Sequence, residues 1–140
     1  MAKSVREIMT GNPVTLPATA TVQQAAARMR DDNIGDVLIA EEGGRVIGIA
    51  TDRDITIRAV ADGADPTEVR LSDVVSADLV TVAPDDTTED AARRMRDAAV
   101  RRAPVMQGDQ AIGIVSIGDL AVERDPDSAL GDISAAPPNQ

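Results

Sequence analysis
Residues 48–54 read GIATDRD, and residues 113–119 read GIVSIGD. Both are Gly-Ile-x-(Thr/Ser)-x-x-Asp, and both close an apolar run rich in β-branched residues, the pattern of a half-buried strand. Each then offers a hydroxyl followed three residues later by a carboxylate. That spacing starts a helix: the hydroxyl accepts a bond from the amide three residues on, and the carboxylate reaches back to the capping residue's own amide. The phrase therefore reads strand, then helix. Its recurrence decides the fold.

Working outward, an offset of 66 lays most of the chain over itself. VREIMTGNPVTL (5–16) falls on LSDVVSADLVTV (71–82), and TVQQAAARMRDDNI (21–34) on TTEDAARRMRDAAV (87–100). One residue is lost in the following turn, after which VIGIATDRDI falls on AIGIVSIGDL. The chain is a tandem duplication, 1–66 and 67–124, and the remaining residues 125–140 read as a mobile, acidic, Pro-rich tail. Each repeat parses alike. A short lead-in helix (SVREIM, RLSDVV) precedes a brief strand (VTL, VTV). Thr21 or Thr87 caps a helix with Gln24 or Asp90 three residues on, and Val22, Ala25, Ala26 and Met29 fall on one helical face. Two strands follow, 36–40 and 45–50 or 102–106 and 111–115, joined by EEGG or QGDQ. A last helix starts near Asp52 or Ile117. The fold class is α/β (α+β), with the order β-α-β-β-α occurring twice.

Composition narrows the chemistry. In 140 residues there is no Cys, His, Phe, Tyr or Trp, which removes disulfides, thiolate and imidazole metal ligands, and the usual general base. The sole lysine is Lys3. An enzyme is therefore not expected, nor is a metal site: Asp31-Asp32, Glu41-Glu42 and Asp85-Asp86 fall at helix ends and turns, where solvated carboxylates are ordinary. The net charge is −10, with residues 1–70 carrying 8 basic and 11 acidic groups and residues 71–140 carrying 6 and 13. That balance opposes nucleic-acid binding, which needs a basic face. No apolar stretch approaches the roughly 20 residues of a membrane span, and no signal-peptide core is evident, so a cytoplasmic location is expected. The near-exclusive use of Arg over Lys hints at a GC-rich genome.

These features, DVVSADLVTVAPDDTTEDAARRMRDAAVRRAPVMQGDQAIGIVSIGDL and its first-half counterpart ending GIATDRDI, resemble a tandem pair of CBS domains, a Bateman module of stand-alone bacterial type. The resemblance covers residues 5–124. It implies two units packed through their sheets with pseudo-two-fold symmetry, a homodimer, and regulation of an unknown protein partner in trans. It also implies an adenosine-containing ligand in the cleft between the units, AMP or ATP, with S-adenosylmethionine as an alternative, and no required cofactor. Carried onto this sequence, Thr51 and Asp54 hold one ligand with Arg53 beside them, and Ser116 and Asp119 hold the other, with Gly118 in place of Arg53. By the family pattern Arg101 or Arg102 faces the ligand of Thr51 and Asp54, whereas Gly35 and Asp36 face that of Ser116 and Asp119. Ile34, Val100, Val14 and Val80 could clamp an adenine.

Each assignment has a plainer counterpart. The Thr51/Asp54 and Ser116/Asp119 pairs serve equally as helix caps. Arg101 and Arg102 would ordinarily be a solvated basic pair, and the four aliphatic residues plain core. The alternative function is accordingly a scaffold with degenerate ligand sites.

Overall fold
The computed structural model of the protein describes residues 3–75 and 79–124, so the expected tail lies outside the described residues. In chain order the elements are α1 (Val5–Ile8), β1 (Thr10–Gly11), β2 (Thr15–Pro17), α2 (Val22–Asp32), β3 (Asp36–Ala40), β4 (Val46–Thr51) and α3 (Asp52–Ile55). A π-helical turn, Thr56–Val60, continues α3. Then come α4 (Leu71–Val74), α5 (Thr88–Ala98), β5 (Arg102–Gln107), β6 (Gln110–Ser116) and α6 (Ile117–Arg124).

The chain divides into two compact units that cut across the repeats. One is Val14–Leu79; the other joins the chain up to Pro13 to that from Val80 onward. Each lead-in helix thus sits with the other repeat's body. In the first unit Leu71 N–H donates to Ala20 O (2.8 Å), and Leu71 and Val74 are buried in its core. In the second, Val5 N–H donates to Asp86 O (2.9 Å), and Val5 is buried beside Val82, Met95 and Val115.

In the Val14–Leu79 unit, β2 runs parallel to β3 and β3 antiparallel to β4. Helix α2 bridges the parallel pair. Its Thr21 cap forms as the sequence indicates: Gln24 N–H donates to Thr21 Oγ1 (3.2 Å) and Thr21 N–H to Gln24 Oε1 (2.9 Å). Val22, Ala25 and Met29 are buried, whereas Ala26, expected on the same face, is exposed. The core faces the narrower stripe that three positions define. The helix stops at Asn33, whose φ of 55° is left-handed, and Ile34 N–H donates to Met29 O (2.9 Å), the six-to-one bond of a Schellman stop.

The other unit repeats this plan with three departures. Short β1, absent from the sequence reading, pairs antiparallel with β6, Thr10 opposite Ile114 and Gly11 opposite Gly113. The strand expected over VTV shrinks to one parallel bridge, Val82 with Val105. The cause is a missing donor. Leu38 N–H donates to Val14 O (2.8 Å) in the first unit, but the matching residue is Pro104, which has no N–H. The Thr87 cap is also half formed: Asp90 N–H donates to Thr87 Oγ1 (3.1 Å), while the Asp90 carboxylate pairs with Arg93 instead of reaching back.

Candidate functional site
Both quoted phrases end their strands at a capped corner, and the two corners match closely. Thr51 N–H donates to Asp54 Oδ2 (2.9 Å), and Asp54 N–H donates to Thr51 Oγ1 (3.1 Å). Ser116 N–H donates to Asp119 Oδ2 (2.9 Å), and Asp119 N–H donates to Ser116 Oγ (3.1 Å). All four residues are half-buried. The capping geometry is thus present at both. It leaves chemistry unused: among the described residues, Oδ1 of Asp54 and of Asp119 takes no hydrogen bond. A half-buried carboxylate with one oxygen open is suited to accept from a diol or an amine.

Within each unit the register fixes what stands beside the corner. Thr51 lies opposite Asp36, and Asp52 N–H donates to Gly35 O (3.0 Å). Ser116 lies opposite Arg102, and Ile117 N–H donates to Arg101 O (3.0 Å). Gly35 and Asp36 therefore belong, within their unit, to the Thr51/Asp54 corner, and Arg101 and Arg102 to the Ser116/Asp119 corner. Arg53 is exposed, and its N–H donates to Asp52 Oδ1 (2.8 Å). Ile34 and Val100 each follow a left-handed helix stop and pack against their unit's core, as does Val14. Val80 is half-buried.

A feature missed in the sequence reading is an open groove of about 580 Å³ lined by Thr15, Pro17, Thr19, Ala40, Glu41 and Glu42, among others. It lies at the carboxyl ends of β2 and β3. Asp36 and Thr51 mark the opposite end of that sheet, so the groove is not the Thr51/Asp54 corner. Its walls come from a parallel pairing that no local pattern announces.

The acidic runs take arginine partners: Asp32 with Arg28 (2.6 Å), Asp31 with Arg30 (2.9 Å), and Asp86 with Arg94 (3.6 Å). Among the described residues no group of three carboxylates is placed to hold a metal ion. No described helix is long and apolar enough to cross a membrane.

A duplicated β-α-β-β-α body whose two strand-to-helix corners repeat the same hydroxyl–carboxylate cap defines a tandem two-unit module. The sequence model of the CBS domain matches residues 5–60 and 71–124, and the chain belongs to that family, carrying two copies. It is 36% identical over 128 residues to the CBS domain-containing protein YhcV of Bacillus subtilis, covering 91% of this chain and 90% of that one. Among solved structures it resembles a hexameric CBS-CP12 protein from bloom-forming cyanobacteria, with 33% identity and TM-score 0.81, over 90% of this chain and 74% of that one. The CBS-domain pair of MJ0100, in complex with 5′-methylthioadenosine and S-adenosyl-L-methionine, shares the fold at 23% identity and TM-score 0.78, over 86% of this chain and 94% of that one.

Proposed function
We propose that this protein is a non-catalytic, cytoplasmic regulatory module that binds an AMP- or ATP-like adenosine ligand at its capped corners. It would act as a homodimer and pass the bound state to a protein partner in trans. One observation carries the reading. Each corner holds a half-buried carboxylate with one oxygen spent on the cap and the other, among the described residues, open. Ribose hydroxyls donate to that open oxygen, a charge-assisted bond stronger than a neutral one. The strand-end hydroxyl stands beside it, and Arg101 and Arg102 supply cationic forks for a phosphate. The ligand class of the MJ0100 pair sets the probes to compare.

The scaffold reading has an observation of its own, since both caps are complete without a ligand. Thermal unfolding with AMP, ATP and S-adenosylmethionine separates the two. A ligand at ~100 times its Kd adds roughly 2.7 kcal/mol of stability, a shift of several degrees for a chain this size. A midpoint that none of the three moves supports the scaffold.

A further inference from the structure
The helical path leaving the Thr51/Asp54 corner is not uniform. After α3 it winds as a π turn, in which Ala61 N–H donates to Thr56 O (2.9 Å), five residues back. A Schellman stop at left-handed Gly63 follows, with Gly63 N–H donating to Val60 O (3.0 Å) and Ala64 N–H to Ala59 O (3.1 Å). A side chain explains the loosening. Thr56 Oγ1 donates to Asp52 O (2.9 Å), a carbonyl to which Thr56 N–H also donates. Such back-bonding competes with the helix ladder and bends it. In the second repeat Ala121 stands at the place of Thr56, and α6 is α-helical over Ile117–Arg124. The counterpart of Ala61, donor of the π bond, is Pro126, which has no N–H and lies outside the described residues.

The π turn also aims a side chain. Arg58 Nη1 donates to Val74 O (2.9 Å), the last carbonyl of α4. Glu123 occupies that place in the second repeat, and a carboxylate cannot donate such a bond. The feature is therefore specific to the first repeat.

We propose that Thr56–Val60 is a conformational switch between π and α register that couples the Thr51/Asp54 corner to α4 through the Arg58–Val74 bond. A π turn holds one residue more than the α turn it replaces, and such turns are frequent at functional sites. Passing to α register rotates the residues beyond by roughly 100°, the angle of one residue at 3.6 per turn. Arg58 cannot hold Val74 O in both registers. The input side rests on the ligand reading above, because the corner's cap and the Asp52 carbonyl belong to one helical turn. A ligand shifts the register only insofar as it binds the two forms unequally.

Amide hydrogen exchange followed by NMR tests this on the full chain, as wild type, Thr56→Ala and Arg58→Gln, each with and without ATP. Without ATP, Thr56→Ala should change exchange at Ala61 and raise it at Val75, which closes α4, by tenfold or more. Arg58→Gln should raise Val75 exchange alike while leaving Thr51 and Asp54 within twofold. With ATP, wild type should respond at Thr51, Asp54, Ala61 and Val75 together, and Arg58→Gln at all but Val75. Ala61 unchanged in Thr56→Ala would show that no second register exists. ATP signals confined to Thr51 and Asp54 would overturn the coupling and leave the ligand reading standing. If ATP moves nothing, the ligand reading fails for that probe, and the two ligand-free comparisons alone decide the switch.

Discussion

At Asp54 the observed cap and the proposed ligand contact separate by magnitude. Asp54→Ala removes a cap, costing about 1 kcal/mol of stability. On the proposed reading it also removes a charged acceptor for the ligand, worth ~1.5–3 kcal/mol, or roughly 10- to 100-fold in Kd. Calorimetry beside a melting curve should show binding falling far more than folding. A variant that melts well below wild type and binds equally would leave Asp54 a cap and nothing more. Ala99 offers a cleaner backbone test. Its φ of 56° is left-handed, where an L-residue with a Cβ is strained by about 1–2 kcal/mol. Glycine removes that strain while gaining freedom in the unfolded chain, so Ala99→Gly should stabilise by roughly 0.5–1 kcal/mol in urea unfolding. Asn33, at the matching stop, tolerates this conformation already. Asp65 gives a pH signature. The Thr67 hydroxyl (2.7 Å), and then its amide (2.9 Å), donate to Asp65 Oδ1 and hold its pKa below the ordinary carboxylate value. A depressed folded pKa contributes stability above the unfolded value, near ~3.9, and that contribution is lost as pH falls through the folded value. In a carboxyl-carbon NMR titration, Thr67→Ala should return the Asp65 midpoint upward.

Strand β1 shows what the first residue of the repeated phrase is for. A Cβ on Gly113 would lie 2.5 Å from Met9 Sδ and 2.9 Å from the Thr10 carbonyl oxygen. The thioether can turn aside, but the carbonyl belongs to the strand paired across it. Gly113→Ala should therefore cost about 1–3 kcal/mol, as overpacking does. Amide exchange should locate the damage at Thr10 and Gly11, with ligand affinity at Ser116 and Asp119 changing less than a few-fold. A large loss of affinity without loss of β1 protection would move Gly113 from packing to the ligand site. Pro104 works in the opposite sense: its absent N–H shortens the neighbouring strand, yet Val82 N–H still donates to Pro104 O (3.1 Å) and Met106 N–H to Val82 O (2.9 Å).

For the assembled protein, Ile57, Val60 and Ile117 remain 43%, 64% and 39% exposed. Apolar side chains left open in this way favour self-association, and closed two-fold pairing is its commonest form. Sedimentation at roughly tens of micromolar, a usual range for such affinities, should report a dimer; a monomer there would refute it. The two ligand sites should also differ, because the corners do not share their charges: Arg53 is matched by Gly118, and Asp36 by Arg102. ATP titration should resolve two unequal steps. Arg101→Ala combined with Arg102→Ala should weaken ATP while leaving adenosine within a few-fold, since an arginine fork reads phosphate and not the nucleoside. Equal, independent sites would sink that assignment.

The amino-acid order by itself determined the duplication, the helix-starting caps at Thr21, Thr51 and Ser116, and the residues that form both corners. These are local signals: a hydroxyl and an acceptor three residues apart specify a cap wherever the fold places them. Strand alternation and turn residues likewise located β3 to β6 within a residue or two. Only the tertiary structure decided which body each lead-in helix joins, because SVREIM and RLSDVV are alike enough to dock on either. It alone supplied β1, whose two residues carry no periodicity and exist as a strand only against β6. It shortened VTV through a proline 22 residues downstream of Val82, a loss that emerges once the two segments are paired. It also set Arg102 opposite Ser116 and Asp36 opposite Thr51, since strand register is a property of the pairing and not of either strand alone.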